Sequence, residues 1–300
     1  MSPIERLRFE VVSEMMTLET IDKAWSIWKP AIHAYMNPAN PITANDLMQV
    51  GNHLYDVFKS TSTGERSQGE VSAGGTGWEV LVCWYLNLCL LGSNTVVIKA
   101  KKKHVPTPIS NSITVMYGST PSGTESDLLA ITFPNTPELR APFSGSVSSL
   151  KRLLDREITD NFSYTSLTVI QCKTNWNDNA QVPMLWDLIY SSTGFKGAAS
   201  VGTNGFVNSA LKDFRYAFVT VPTTNPDKIK SSSTCVMRVR SLSGGNYWGR
   251  PSVSGVAMNL FDMLNKNFNE SLGNYSGGWN ASIPTLIASQ LHSDDYFRLS

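Results

Sequence analysis

The run Ser166-Leu167-Thr168-Val169-Ile170-Gln171-Cys172-Lys173 reads as a core strand that ends on two polar side chains. Alternate side chains of a strand share a face, so Gln171 and Lys173 project together while Ile170 and Cys172 point the other way. A polar pair on an otherwise apolar strand costs free energy unless something receives it, which places a ligand, a metal or a salt bridge nearby. Asp127 is the companion residue. It stands 44 residues before Gln171, after the turn Pro121-Ser122-Gly123, early in a second strand-like run over 125–133. A carboxylate, an amide oxygen and an ammonium group suit metal-assisted cleavage of a phosphodiester. That chemistry needs a hard cation on oxygen ligands, a positioned water, and positive charge facing the phosphate. Asp127 can bind Mg²⁺ through its carboxylate, Gln171 can offer its amide oxygen, and Lys173 can orient the water or stabilise the charge growing on phosphate. Glu125, on the face of Asp127, is an alternative ligand.

Each of these residues has a plainer reading beside it. Lys173 also fits a surface lysine after a core strand, Gln171 an edge residue, and Asp127 a cap on the turn after Gly123. Glu79 fits either a supporting metal ligand or a capping box in Thr76-Gly77-Trp78-Glu79, reaching back to the Thr76 backbone. Lys99, Lys101, Lys102 and Lys103 follow a core strand and fit either a solvated hairpin or phosphate contacts. Arg238 and Arg240 alternate on a strand-like run over 235–240, and Asn246-Tyr247-Trp248-Gly249-Arg250 follows in a Gly-rich loop. Arg238, Arg240 and Arg250 there either read base edges in a groove or belong to an ordinary hairpin.

The elements that must position these residues can be read from periodicity. Residues 1–60 form a helical N-terminal region. Ile4, Leu7, Val11, Val12, Met15 and Met16 recur at helical spacing, and a second stripe at Ile21, Trp25, Trp28 and Ile32 is interrupted by Pro30. A break at 37–41 precedes a third helix over 43–58. Residues 60–77 are rich in Gly and Ser and predict an exposed loop leading into an apolar helix from Trp78 to Leu91. Strands are expected at 95–98, 112–117, 125–133, 166–173, 215–221 and 235–240, with helices at 147–158 and 182–190. The order predicts an α/β fold, a mixed central sheet flanked by helices, with residues 61–300 forming the domain that carries the site.

Composition narrows the function classes. With 41% hydrophobic and 16% charged residues the chain is an ordinary globular protein. Its formal net charge of +1 announces no nucleic-acid partner, although a local basic surface can neutralise phosphates while acidic ligands balance the total. Cys83, Cys89, Cys172 and Cys235 form no CxxC pair and predict free thiols in a reducing compartment. No secretory signal and no membrane-spanning run are evident, so a soluble, cytoplasmic protein is expected. A phosphate-loop pattern, a GxSxG elbow and a histidine cluster for zinc are all absent.

Asp127 followed by Gln171-Cys172-Lys173 resembles the PD-(D/E)xK nuclease superfamily. Its core is helix, three strands, helix, strand, with Asp on the second strand and an acid-x-Lys pair on the third. Ile170-Gln171-Cys172-Lys173 is similar to the QxK variant of Mrr-type restriction endonucleases. The chain departs from the commoner pattern at Gln171, and Ser126 stands where the name-giving pattern has Pro. The resemblance covers roughly residues 76–222 and needs the 134–165 segment as an insertion. It implies a restriction-endonuclease-like fold and a type II, Mg²⁺-dependent endonuclease acting on double-stranded DNA as a homodimer. It also implies Asp127 and Gln171 as metal ligands, Lys173 at the water, and Glu79 as a supplementary ligand. A DNA-binding or structural protein with a degenerate nuclease core is the alternative, and a Ser/Thr/Asn-rich coat-like β protein a third.

Overall fold

A computed structural model describes residues 1–61, 68–100, 103–122, 126–174, 199–220, 230–243, 247–249, 259–273 and 275–300, and of 68–74, 122, 199, 242 and 247–249 the backbone alone. Three helices open the chain: α1 (Pro3–Met16), α2 (Glu19–His33) and α3 (Ala44–Lys59). Ser2 caps α1 by accepting from the Glu5 amide, and Thr43 and Asp46 form a capping box at α3. Pro30 lies inside α2 and does not end it. Ile21, Trp25, Trp28 and Ile32 remain one buried stripe through it.

The fourth helix, α4 (Gln68–Cys89), corrects the expected loop over 60–77, because it has begun by Gln68 and continues through the Gly-rich stretch. Packing explains the override of poor local propensity: Gly77 lets the indole of Trp28 approach to 3.3 Å of where a Cβ would stand. Thr76 is therefore a helix-interior residue, and the capping box expected at Thr76–Glu79 does not form. From Val80 to Leu91 every residue is at most 1% exposed, which makes α4 the buried type of helix, apolar on all sides.

The strands are β1 (Thr95–Lys99), β2 (Val115–Tyr117), β3 (Thr120–Ser122), β4 (Leu128–Thr132), β5 (Ser166–Lys173), β6 (Ala199–Val201), β7 (Asp213–Thr220) and β8 (Tyr247–Gly249). Short helices α5 (Thr107–Ser112) and α6 (Pro137–Arg140) and the amphipathic α7 (Val147–Asp160) lie between them. Residues 112–117 divide between the end of α5 and β2, and are not one strand. Five strands form a mixed sheet in the order β1-β4-β5-β7-β8. β4 runs antiparallel to β1 and β5, whereas β5, β7 and β8 are parallel. A second, three-stranded sheet has the order β3-β2-β6.

Residues 235–240 are helical, not extended: α8 (Thr234–Leu242) buries Val236, Val239 and, beyond its end, Ser243. That spacing of three and seven is the helical period, and it outweighs the β-branched composition. The chain closes with α9 (Leu260–Gly273) and α10 (Trp279–Ser293), and residues after α10 fold back over α2 and α4. Trp25 Nε1 donates to Arg298 O at 3.2 Å and Trp84 Nε1 to Phe297 O at 3.1 Å. The helix expected at 182–190 lies outside the described residues. The N-terminal helices, α4 and the five-stranded sheet share one hydrophobic core. The architecture is α/β, a mixed central sheet flanked by helices with a helical N-terminal region, which corrects the coat-like β alternative. Among the described residues no helix is long and apolar enough to cross a membrane.

Candidate active site

The antiparallel pairing of β4 with β5 brings Asp127 and Lys173 to one end of the sheet. Leu128 is paired with Ile170, so Asp127, the residue before β4, falls opposite Gln171. Its backbone oxygen accepts from Ala100 N at 3.2 Å, extending the pairing of β1 with β4 by one step. The Asp127 carboxylate then reaches across to β5. Oδ2 accepts from the Cys172 amide at 2.7 Å and lies 3.3 Å from Lys173 Nζ. Both side chains are mostly covered, Asp127 at 13% exposed and Lys173 at 22%.

Glu79 arrives from α4 and Lys99 from the end of β1, with Glu79 Oε2 2.8 Å from Lys99 Nζ. Two carboxylates and two ammonium groups thus gather where β1 and β5 end and β4 begins. Burial pushes the Asp127 carboxyl up to about 6. Lys173 opposes that rise, Glu79 adds to it through its negative charge, and the Cys172 amide opposes it. The influence of Glu79 places the two carboxylates in each other's field.

Gln171 is fully buried in a strand flanked on both sides, by β4 and β7, which excludes the edge-residue reading. Its side chain has interactions of its own, and among the described residues its buried Oε1 accepts no hydrogen bond. Lys173 is paired with a buried carboxylate and is not a plain surface lysine. The neighbouring thiols are not nucleophiles at neutral pH. Burial pushes Cys83 up to about 12 and holds Cys172 well above the ordinary thiol range, with Asp127 and Glu79 adding to the latter. All four cysteines are free, with Cys83, Cys89 and Cys172 buried and Cys235 partly covered.

The candidate DNA contacts do not gather in the same way. Lys103 is paired with Glu14 at 2.9 Å, and the same carboxylate oxygen takes His104 Nε2 at 2.6 Å. Arg238 and Arg240 are exposed on α8, where residues two apart do not share a face, so the expected alternation on one strand face is corrected. Lys101, Lys102, Glu125 and Arg250 lie outside the described residues. Tyr247, Trp248 and Gly249, expected in a loop, form β8 beside β7. Sequence reasoning groups Lys99 with the basic stretch and misses its pairing with Glu79. The available signal is position, since Lys99 ends an apolar strand that must lie beside an apolar helix carrying one acid.

Among the described residues, Asp127 and Glu79 bring two carboxylates to this end of the sheet, and Gln171 lies opposite Asp127 in the register. Among the described residues there is no group of three or more His, Cys, Asp or Glu side chains that could hold a metal. The donor set still fits magnesium, which keeps several waters and takes one or two carboxylates from protein. A crevice of about 500 Å³ lined by Glu5, Asn94, Arg140 and Tyr275, among others, has none of the four charged residues in its wall. Comparison of the chain with family models, with curated proteins and with solved structures returns no match.

Proposed function

We propose that the chain is a magnesium-dependent endonuclease of the type II restriction kind, hydrolysing phosphodiester bonds of double-stranded DNA. The observation that carries this reading is Asp127 lying 3.3 Å from Lys173 and opposite Gln171 in the β4–β5 register. The order α4, β1, β4, β5 and then β7 parallel to β5 supports a restriction-endonuclease-like core, with α5, α6, α7 and the small sheet as additions to it.

Asp127, the Gln171 oxygen and Glu79 would hold the cation, which supplies Lewis acidity toward a phosphate oxygen. Lys173 is tied to the Asp127 carboxylate, and this fixes its ammonium beside the place where a scissile phosphate meets that acid. From there it orients the attacking water and faces the negative charge that develops on phosphate. The Cys172 amide holds the Asp127 carboxylate in the rotamer that keeps it at the strand end. The resemblance to homodimeric nucleases extends the proposal to two copies acting on a two-fold symmetric site.

Incubation with mixed plasmid DNA, with and without Mg²⁺, tests the reading. Discrete fragments that depend on the metal are expected, and their absence at all divalent-ion concentrations overturns it. A second reading, a DNA-binding or structural protein with a degenerate core, draws on the absence of a third acid among the described residues at the site. Retardation of the same DNA without cutting is its signature.

A further inference from the structure

Glu79 and Asp127 receive their counter-ions from different strands. Lys99 ends the edge strand β1 and Lys173 ends the central strand β5, and the Glu79–Lys99 pair is as well covered as the other, at 17% and 20% exposed. Carboxylate and ammonium charges in the quartet sum to zero. A divalent cation approaching a neutral quartet gains nothing from net charge, and it has to compete with an ammonium group for each carboxylate. Lys99 sits on a flexible four-carbon stem whose ammonium can leave one anion for another without moving the strand. Glu79 has a shorter stem, and the helix that carries it is enclosed from the next residue onward, which fixes its backbone.

Resting on the nuclease reading, we propose that Lys99 is a resident counter-ion of Glu79 that a divalent cation displaces, and that the released ammonium becomes a second contact to the phosphodiester. The cation-free site is then neutral and closed. Cation and DNA phosphate open it together, each drawing away the group that the other needs removed.

The experiment uses calcium, a hard cation with the same preference for oxygen, so that binding is read without cleavage. Calorimetry should show Lys99→Met binding calcium about ten-fold more tightly than the unaltered chain, because a competing positive charge is gone. Lys99→Arg, which keeps the charge, should bind as the unaltered chain does. Equal or weaker binding by a folded Lys99→Met variant overturns the inference. A measurement on the unaltered protein decides the matter even if that variant does not fold. In that measurement, reductive methylation read by peptide mass analysis should find Lys99 protected without calcium, reactive with calcium, and protected again when calcium and fragmented plasmid DNA are both present. Reactivity that calcium leaves unchanged overturns the displacement, and reactivity that DNA leaves unchanged overturns the phosphate contact. Absence of any calcium or manganese binding by the unaltered chain overturns the metal-dependent reading itself, which separates the two failures.

Discussion

The side-chain amide of Asn87 closes on both backbone groups of Val97: the Val97 N–H donates to Oδ1 at 3.1 Å, and Nδ2 donates to Val97 O at 2.7 Å. Among the described residues β1 is an edge strand, and no neighbouring strand pairs with these outward-facing groups. Asn87 replaces that strand and fixes the register of α4 against β1. Glu79 lies eight residues before Asn87 on α4, and Lys99 two residues after Val97, so the same bond pair sets the geometry of their ion pair.

Asn87→Leu removes this lock while keeping the branched shape of the side chain. It leaves the buried Val97 N–H unsatisfied and the Val97 carbonyl with only the weak thiol donor of Cys83 at 3.3 Å, and takes an acceptor from Arg8 Nη1, which also bonds the Asn87 side chain. Urea denaturation should show a loss of about 2–4 kcal/mol.

Asp127→Asn should stabilise the protein near pH 7 while abolishing cleavage. An acid whose folded-state value rises from 3.8 to about 6 contributes full stability below the unfolded value and loses it as pH rises through the folded one. The full difference corresponds to about 3 kcal/mol; leaving Lys173 without its counter-ion offsets part, so a net gain of about 1–2 kcal/mol is expected. The gain should shrink between pH 6 and pH 4 as the unaltered Asp127 takes up its proton. A gain that does not change over that window contradicts the assignment to Asp127.

The same group sets the pH dependence of cation binding. Below about 6 the Asp127 carboxyl is protonated and cannot act as an anionic ligand. Calcium affinity, followed by calorimetry from pH 7.5 to 5, should fall about ten-fold per unit once pH drops below that value. Affinity independent of pH over this range would remove Asp127 from the ligand set.

Lys173→Ala should lower the rate of DNA cleavage by about 10²–10⁴-fold, the range for loss of a positioned proton-handling or charge-stabilising group. Folding, read by circular dichroism, and DNA retardation should stay close to those of the unaltered chain. Full cleavage by the purified variant would falsify the role given to Lys173.

Gly51→Ala should destabilise the interface of α3 with α4. A Cβ there would stand 2.1 Å from the hydroxyl of Tyr85, which is fully buried and donates to Leu47 O at 3.0 Å. Thermal or urea unfolding should register a loss of about 1–3 kcal/mol, the range for overpacking a filled core.

Much of this fold is legible in the amino-acid sequence, and the reasons differ by element. β5 is readable because a run of buried residues ending on Gln171 and Lys173 has no helical period, and α7 because Leu150, Leu154 and Ile158 recur on one face. The start of α4 is not, since Gly74, Gly75 and Gly77 carry no local preference for helix, and the contact that packs this stretch, Trp28 against Gly77, comes from another helix. Cys235 to Arg240 mislead because Val236 and Val239 are β-branched, and only burial on one side reveals their helical spacing. At the site, Asp127 and Lys173 meet as their strands predict. The Glu79–Lys99 pair is only hinted at in the sequence by the position of Lys99, because its geometry depends on the register that Asn87 imposes between a helix and a strand.

The enclosure of α4 has a consequence for how this protein can change. Its residues from Val80 onward contact the N-terminal helices, the sheet and the returning C-terminal segment at once, so the backbone that carries Glu79 cannot be moved without disturbing all of them. The acid is in effect part of the foundation. New preferences for a substrate would have to be acquired by the surrounding connections, and inherited variation should accumulate there while the bearing of Glu79 stays constant.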